Sequence, residues 1–448
     1  MQPDWLKYLD RRIPRYTSYP TAAQFAPEID AGSYARWLAA VPATAPVSVY
    51  VHVPFCSELC LYCGCHTTVA RRYTAIEAYV ELLLGEIALV SGILGNRPAS
   101  HLHWGGGTPS ILAPDDFQRI TAALQAHFNF GAGAELAIEI DPRTLTKDYV
   151  AVLADAGITR VSLGVQDFNP RVQSAVNRVQ SFEQTARVAD WLRGAGIGSI
   201  NLDLMYGLPY QSVASVATTV ERALALDADR IALFGYAHVP WMKRHQRLIP
   251  EQALPDSGER FAQNHIAAEV LVGAGYVPIG LDHFAKSGDL LAKQQRAGRL
   301  HRNFQGYTTD ESVALMGFGA SAIGTWPDGY VQNTPSAVAY RAAIAAGRLA
   351  TARGRMLTKE DRLRRDVIER LMCDLHVDLA EQCAAHNVDA NHFAAEISRL
   401  DLLAGDGLVE RAGHKISIPE RARALVRTVC AVFDAYVKDD DMRFSRAS

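Results

Sequence analysis

The 448-residue sequence contains no run of apolar residues long enough to cross a bilayer, which excludes a helical membrane span. It has no excess of charge of one sign. The 45 basic side chains stand against 48 acidic ones, for a formal net charge of −3, so nothing points to a general nucleic-acid partner. Internal repeats, low-complexity tracts and long linkers are missing. The opening Met1-Gln2-Pro3-Asp4-Trp5 carries neither a basic nor an apolar targeting stretch. Cysteine is scarce, and seven is an odd number, which argues against a disulfide framework. What the chain does have is core material: 49% of it is hydrophobic, enough for two to three domains. These features predict a soluble cytoplasmic protein and leave its chemistry open.

Chemistry enters where the few cysteines collect. Four of the seven, Cys56, Cys60, Cys63 and Cys65, fall within ten residues, and the first three read C-x3-C-x2-C. That spacing lets one short loop wrap three thiolates around a soft metal centre. A structural zinc site joins two separated Cys/His pairs, and no second pair stands at a suitable distance. Three thiolates leave one iron of a cubane [4Fe–4S] cluster without a protein ligand, free to hold a small molecule. Ahead of the loop, Val47, Val49, Val51 and Val53 alternate with Ser48, Tyr50 and His52, and Pro54 ends the strand. A strand that delivers a functional loop at its C-terminal end is the geometry of α/β barrels.

Strand and helix patterns alternate from Val47 to about Tyr236. The strand-like runs are Val47–Val53, His101–Trp104, Glu135–Ile140, Arg160–Val165, Ser199–Leu204 and Arg230–Phe234. Helical patterns lie between them, one at Tyr73–Leu94, one after Pro114-Asp115-Asp116 and one after Ser181, which pairs with Gln184 as a capping box. Six βα repeats imply parallel strands with right-handed crossovers. Six are too few to close an eight-stranded barrel, so the sequence predicts an open three-quarter barrel whose gap admits a large substrate. Polar and small residues gather at the strand ends. Gly105-Gly106-Gly107-Thr108-Pro109 follows the second strand, where glycines permit close backbone approach to a ligand or simply make a turn; no Gly-Lys-Ser/Thr follows, so this is no phosphate loop. Glu139, Gln166, Asp203 and Ala237 end the next four strands, the pattern of one active-site face. A carboxylate such as Glu139 at a strand end is poor core material, its alternative being a salt bridge at the rim.

The flanks read less clearly. Residues 1–46 predict an irregular arm in which Arg11, Arg12 and Arg15 accompany Tyr16 and Tyr19. It is either an exposed basic arm or a flap that meets an anionic ligand. Trp241–Arg247 and the face bearing Lys293 and Arg296 read as solvated, and Met316–Ile323 as close glycine packing or a turn. The barrel is expected over 47–284, with an extension on the substrate side over 285–350. Over 351–448 a mainly helical domain is expected, with helices at Lys359–Leu375 and Ala390–Leu403, a hairpin at Gly407–Ile418 and a last helix at Glu420–Val437. This order resembles a winged helix, here acting as a lid, since Arg421, Arg423 and Arg427 stand near acids. Cys373, Cys383 and Cys430 read as buried apolar thiols.

The motif C-x3-C-x2-C after a strand is the signature of radical S-adenosylmethionine (SAM) enzymes. The longer YVHVPFCSELCLYCGC at Tyr50–Cys65, with PRYTSYPT at Pro14–Thr21 and HRNFQGYTT at His301–Thr309, resembles the oxygen-independent coproporphyrinogen III oxidases over nearly the whole chain. The resemblance implies oxidative decarboxylation of two propionates of coproporphyrinogen III to vinyl groups, giving protoporphyrinogen IX. The hydrogen would be taken by a 5′-deoxyadenosyl radical made from SAM at the cluster. It assigns Cys56, Cys60 and Cys63 to the [4Fe–4S] cluster and Tyr50, Gly106 and Glu139 to the SAM bound to it. A second SAM is implied at Tyr62, Gly107, Thr108, Gln166, Arg178, Asp203, Ala237 and Ile323, with a structural Arg178–Asp203 ion pair as the alternative. Tyr62 stands where phenylalanine is usual, so its hydroxyl needs a partner. Cys65 marks the oxidases without being a ligand. Arg15 and Arg302 become candidates for substrate carboxylates. A flavodoxin- or ferredoxin-type electron donor and a monomeric state are expected, with no nucleic-acid or membrane partner. Two relatives are weighed against this reading. Haem chaperones usually lack the last cysteine of C-x-C and the PRYTSYPT arm, and the haem-degrading radical SAM enzymes are set aside on the same residues.

Overall fold

The computed structural model describes residues 5–437 and residue 444; the first four residues and the rest of the tail lie outside the described residues, and with them the outer ends of the expected 1–46 and 351–448 segments and most of the opening stretch read for targeting. The valine alternation sets the architecture. In β1 (Val47–Val53) all four valines are at most 1% exposed and face a layer of helices, while Ser48, Tyr50 and His52 face the other way. Five further strands follow, each after a helical connection: β2 (Arg97–Gly106), β3 (Phe128–Ile140), β4 (Arg160–Gln166), β5 (Ser199–Tyr206) and β6 (Arg230–Gly235). All six lie parallel and in chain order. Their outward residues, such as Trp104, Ile138, Leu163, Leu202 and Leu233, are buried beneath the helices. The connecting helices α2 (Tyr73–Leu94), α3 (Pro114–His127), α4 (Lys147–Asp155), α5 (Phe182–Gly194) and α6 (Val213–Leu224) start where the sequence provides for them. Ser181 accepts from the Gln184 N–H at 3.1 Å and caps α5.

The sheet does not close. Beyond β6 come β7 (Tyr276–Ile279) and β8 (His283–Lys286), with β8 antiparallel to β6. Beyond β1 the chain returns with β9 (Ala314–Phe318), parallel to β1, and then antiparallel β10 (Ile323–Trp326), β11 (Gly329–Asn333) and β12 (Thr351–Met356). The order β12-β11-β10-β9-β1-β2-β3-β4-β5-β6-β8-β7 leaves two edges and an open side. This is the open three-quarter (β/α)6 barrel, enlarged by strands at both ends and followed by a mainly helical region.

A second hydrophobic core stands apart from the barrel. It joins Val367, Leu371 and Met372 of the helix Lys359–Asp374 to Val426, Val429 and Phe433, and also to Trp5, Leu9, Ile13, Tyr16 and Tyr19 of the arm. The exposed-arm reading is thereby corrected. Tyr16 and Tyr19 are 3% and 1% exposed, and α1 (Ala31–Ala40), capped by Asp30, gives the arm regular structure. Two helical readings also change. Ala390–Leu403 becomes Ala394–Gly405, preceded by an unforeseen helix at Leu379–Ala385. Glu420–Val437 is only a 3-10 turn at Glu420–Leu425 and one α-turn at Val426–Cys430. Val426, Thr428 and Val429 are β-branched, and every residue from Val426 to Cys430 is buried, so packing on several sides overrides the helical period.

Candidate active site

The cysteine loop is tied at its base before it reaches any ligand. Phe55–Cys56 pairs in parallel with Thr68–Val69, and Gly107 N–H and Thr108 N–H donate to Val53 O and Phe55 O, both at 2.8 Å. A Cβ at Gly107 would collide with the Phe55 backbone, and one at Gly106, whose φ is +111°, would come within 2.7 Å of the His52 ring. Glycine is required at both. Each spaced sulfur accepts a hydrogen bond: Cys56 from Thr108 Oγ1 at 3.7 Å, Cys60 from Arg178 Nη1 at 3.4 Å and Arg143 Nη2 at 3.7 Å, Cys63 from the Cys65 N–H at 3.4 Å. Burial pushes the Cys56 thiol up to about 11, whereas hydrogen bonding with Cys65 draws Cys63 down to about 6.

These donors suit a cluster rather than a single ion. Among the described residues no three His, Cys, Asp or Glu side chains converge tightly enough to share one metal. A structural zinc needs four ligands on one ion, whereas the thiolates of a cubane each take a separate iron and stand apart. The residues present therefore fit a [4Fe–4S] group held by Cys56, Cys60 and Cys63. The segment after β6 straps the loop from outside. Lys243 Nζ donates to Cys65 O at 2.9 Å, His245 Nε2 to Cys63 O at 2.8 Å and Gln246 Nε2 to Tyr62 O at 3.0 Å. Its reading as a solvated loop is corrected: Trp241 and Met242 are exposed, but Gln246 is fully buried.

Behind the loop lies a cavity of about 270 Å³ at the C-terminal ends of the parallel strands. The three cysteines and Tyr62 wall it from the loop, and Gly106, Gly107 and Thr108 from the end of β2. Glu139, Gln166 and Asp203 reach it from β3, β4 and β5, and Arg178 from the stretch after the short helix Pro170–Ala175. Burial opposes ionisation of Glu139, but bonds from His103 Nε2 at 3.2 Å and the Gly106 N–H at 3.1 Å hold the carboxyl below its usual range. Gln166 adopts φ +70°, unusual for a side-chain-bearing residue and common at functional sites. Burial first, and the charge of Glu139 second, raise Asp203 to about 6. The Tyr62 hydroxyl is buried near Arg178 and the Cys60 sulfur, and burial pushes it well above its usual range. No Arg178–Asp203 ion pair forms. Arg178 instead meets Asp141 at 3.2 Å, while Asp203 accepts from Ser162 at 3.0 Å and Asn201 at 2.8 Å.

The remaining residues lie outside these walls. Tyr50 sits deeper in the barrel, its ring stacked on His103 at 5.9 Å. His52 Nε2 lies 3.1 Å from His66 O and so carries the proton, leaving Nδ1 to accept from the Tyr50 hydroxyl at 3.0 Å. The Tyr50 oxygen thus keeps its lone pairs for a ligand's donor. Ala237 lines an adjoining cavity, and Ile323 packs beside Phe25 and Tyr330, bordering neither. His103, Asp141, Arg143, His245 and Gln246 were not singled out from sequence. His103 could have been found from its inward phase on β2, and Asp141 from its place after Glu139; nothing in the sequence marks the strap.

A (β/α)6 barrel open on one side, with a three-cysteine loop after its first strand and a polar cavity at its strand ends, defines a radical SAM enzyme. The profile of the radical SAM superfamily matches residues 50–223, and that of the HemN C-terminal domain matches residues 357–425. The chain is 52% identical to the oxygen-independent coproporphyrinogen III oxidase of Bradyrhizobium diazoefficiens, over 99% of this chain and 98% of that one. It is 43% identical to that of Paracoccus denitrificans, over 97% and 96%. The solved structure of coproporphyrinogen III oxidase (HemN) from Escherichia coli superposes with a TM-score of 0.90 at 39% identity, covering 94% of this chain and 98% of that one. The chain belongs to the oxygen-independent coproporphyrinogen III oxidase family.

Proposed function

We propose that this protein oxidatively decarboxylates two propionates of coproporphyrinogen III to vinyl groups, giving protoporphyrinogen IX for haem and porphyrin synthesis without oxygen. The observation that supports this most is the set of three spaced thiols, each hydrogen-bonded, beside a polar strand-end cavity in a chain of this family. The propionate β-carbon carries a hydrogen too weakly acidic for any side-chain base. When bound, the cluster and SAM supply the reactivity that removes it. The chain's own part is to bind and orient. Cys56, Cys60 and Cys63 hold the cluster, with Arg143 and Arg178 compensating its negative charge. Tyr50, Gly106 and Glu139 hold the SAM on it: the Tyr50 oxygen accepts from a donor, and the Glu139 carboxylate accepts from the ribose hydroxyls.

A second SAM is part of this reading. Gln166, Arg178 and Asp203 offer more polar capacity than one SAM uses, with Tyr62, Gly107 and Thr108 on the same wall and Ala237 next door. Ile323 would have to act from β10, outside that wall. The electron donor is taken to be a flavodoxin- or ferredoxin-type protein and the working form a cytoplasmic monomer. Among the described residues no helix is long and apolar enough to cross a membrane. The decisive experiment is an anaerobic assay of cluster-loaded protein with coproporphyrinogen III, SAM and a reductant, coupled to equilibrium SAM binding. Conversion to protoporphyrinogen IX is expected, with two SAM sites that fall to one in Arg178→Ala. Stable stoichiometric haem binding without turnover would instead make the chain a haem carrier.

A further inference from the structure

A second cavity, of about 330 Å³, adjoins the cofactor cavity and shares Cys65 and Phe234 with it. Three guanidiniums reach its wall from distant parts of the chain: Arg15 from the arm, Arg302 from the hairpin before β9, and Arg427 from the C-terminal region. Arg302 is the most telling. Its side chain is 7% exposed, yet Nε and Nη1 make no hydrogen bond, and the nearest carboxylate, Asp282, stands at 3.9 Å. Asp282 is the one carboxylate among the described residues lining the cavity, and it is already engaged by His283 Nδ1 at 2.8 Å. Arg15 Nη2 donates to Gly235 O at 3.0 Å, and Arg427 Nη1 to Ile13 O at 3.3 Å. Burial first, and the charge of Arg15 second, lower Arg427 to about 10.

Buried arginine is the side chain best matched to a carboxylate, because its planar fork meets both oxygens at once. Among the described residues, three guanidiniums and one carboxylate stand on this wall, and two of the guanidiniums, those of Arg302 and Arg427, are buried. We infer that this cavity binds a pair of carboxylates of the tetrapyrrole, held by Arg302 and Arg427 with Arg15 closing over them. The inference rests on the reading of the reaction given above. It gives the C-terminal region a share in substrate recognition, because Arg427 is contributed by the second core rather than the barrel. SAM also carries a carboxylate, so the test must separate the two sources.

The test is binding of coproporphyrin III, the stable oxidised form of the substrate, to cluster-loaded protein by fluorescence quenching, with SAM affinity measured alongside. Arg302→Gln and Arg427→Gln are each expected to weaken coproporphyrin III at least tenfold, and Arg427→Lys less than Arg427→Gln, with SAM affinity unchanged. Loss of SAM affinity, with or without loss of porphyrin affinity, overturns the inference, as does unchanged affinity for both. Iron content and melting temperature report whether the buried variants fold. Should they not, Arg15→Gln carries the test, since Arg15 is exposed: a threefold or greater loss of porphyrin affinity supports the site and none overturns it. Turnover by the unmodified protein is measured separately. Arginine-dependent porphyrin binding without turnover would defeat the proposed reaction and leave this site standing.

Discussion

Cys60 is the most constrained of the clustered thiols, being buried and accepting from two guanidiniums. Cys60→Ala removes a cluster ligand and leaves Arg143 and Arg178 facing an apolar methyl. Iron and sulfide content should fall to background and SAM cleavage should stop; a fully active variant would sink the assignment. Asp203 offers a test by pH. Its carboxyl is raised from 3.8 to about 6, so the folded protein binds its proton more tightly than the unfolded chain does. Its contribution to stability is therefore present below pH 4 and lost as pH rises through about 6, by roughly 3 kcal/mol. Asp203→Asn does not ionise, so its melting temperature should fall less than that of the wild type between pH 4 and 7. Parallel pH curves would place Asp203 in a more solvated setting. Residues of this kind were legible from sequence to different degrees. The cysteine spacing and the strand-end polar residues announce themselves locally. Arg143 was not legible as a partner of Cys60, because the two are 83 positions apart and only the folded strand ends bring them together.

Among elements, four of the six parallel strands were read nearly to the residue because one face of each is buried against helices, which enforces alternation; β2 and β3 were found but begin four and seven residues earlier than expected, at Arg97 and Phe128. The strap at 239–249 was not, because its role is to saturate backbone carbonyls of another loop, and backbone acceptors leave no mark in the sequence that serves them. Gln246 holds it together. Its Oε1 accepts from the Val239 N–H at 2.6 Å, while Nε2 donates to Tyr62 O at 3.0 Å and Ala237 O at 3.2 Å. Gln246→Ala strands three backbone groups in a buried setting, at about 1 to 3 kcal/mol each where water cannot enter. The cluster loop loses its outer support although no ligand is touched. Iron release to a chelator should accelerate at least tenfold and the melting temperature should fall. Release at the wild-type rate would show that the pairing of Phe55–Cys56 with Thr68–Val69 is sufficient to hold the loop.

At the scale of the molecule the two largest cores among the described residues are those of the barrel and the C-terminal region; the start of the arm, Trp5–Tyr19, belongs to the second, while Ile29, Tyr34, Leu38 and Val41 pack into the first. Trp5 Nε1 donates to Asp406 O at 2.7 Å, Tyr16 Oη to Asp434 at 3.1 Å, and the Ala435 N–H to Tyr19 Oη at 3.0 Å. Trp5, Tyr8, Tyr16 and Tyr19 each bury most of a large ring, together worth on the order of 10 kcal/mol against the C-terminal region. That is comparable with the whole stability of an ordinary domain. This dependence was hidden in the sequence: an arm with six prolines and four arginines reads as exposed, and its partner lies some 400 residues away. The cluster loop, Arg143 and Arg178 all sit on the barrel, whereas the arginine-lined cavity lies where the two cores meet. Deleting residues 1–20 should therefore separate the two functions. Amides of the helix Lys359–Asp374 should exchange with deuterium far faster, while those of α2 stay protected. The truncated protein should still reconstitute its cluster and bind SAM at the first site, and should lose coproporphyrin III. If α2 loses protection in step with the C-terminal helix, the cores unfold as one unit and the arm supports the barrel as well. If neither changes, the aromatic packing of the arm contributes far less than its burial implies.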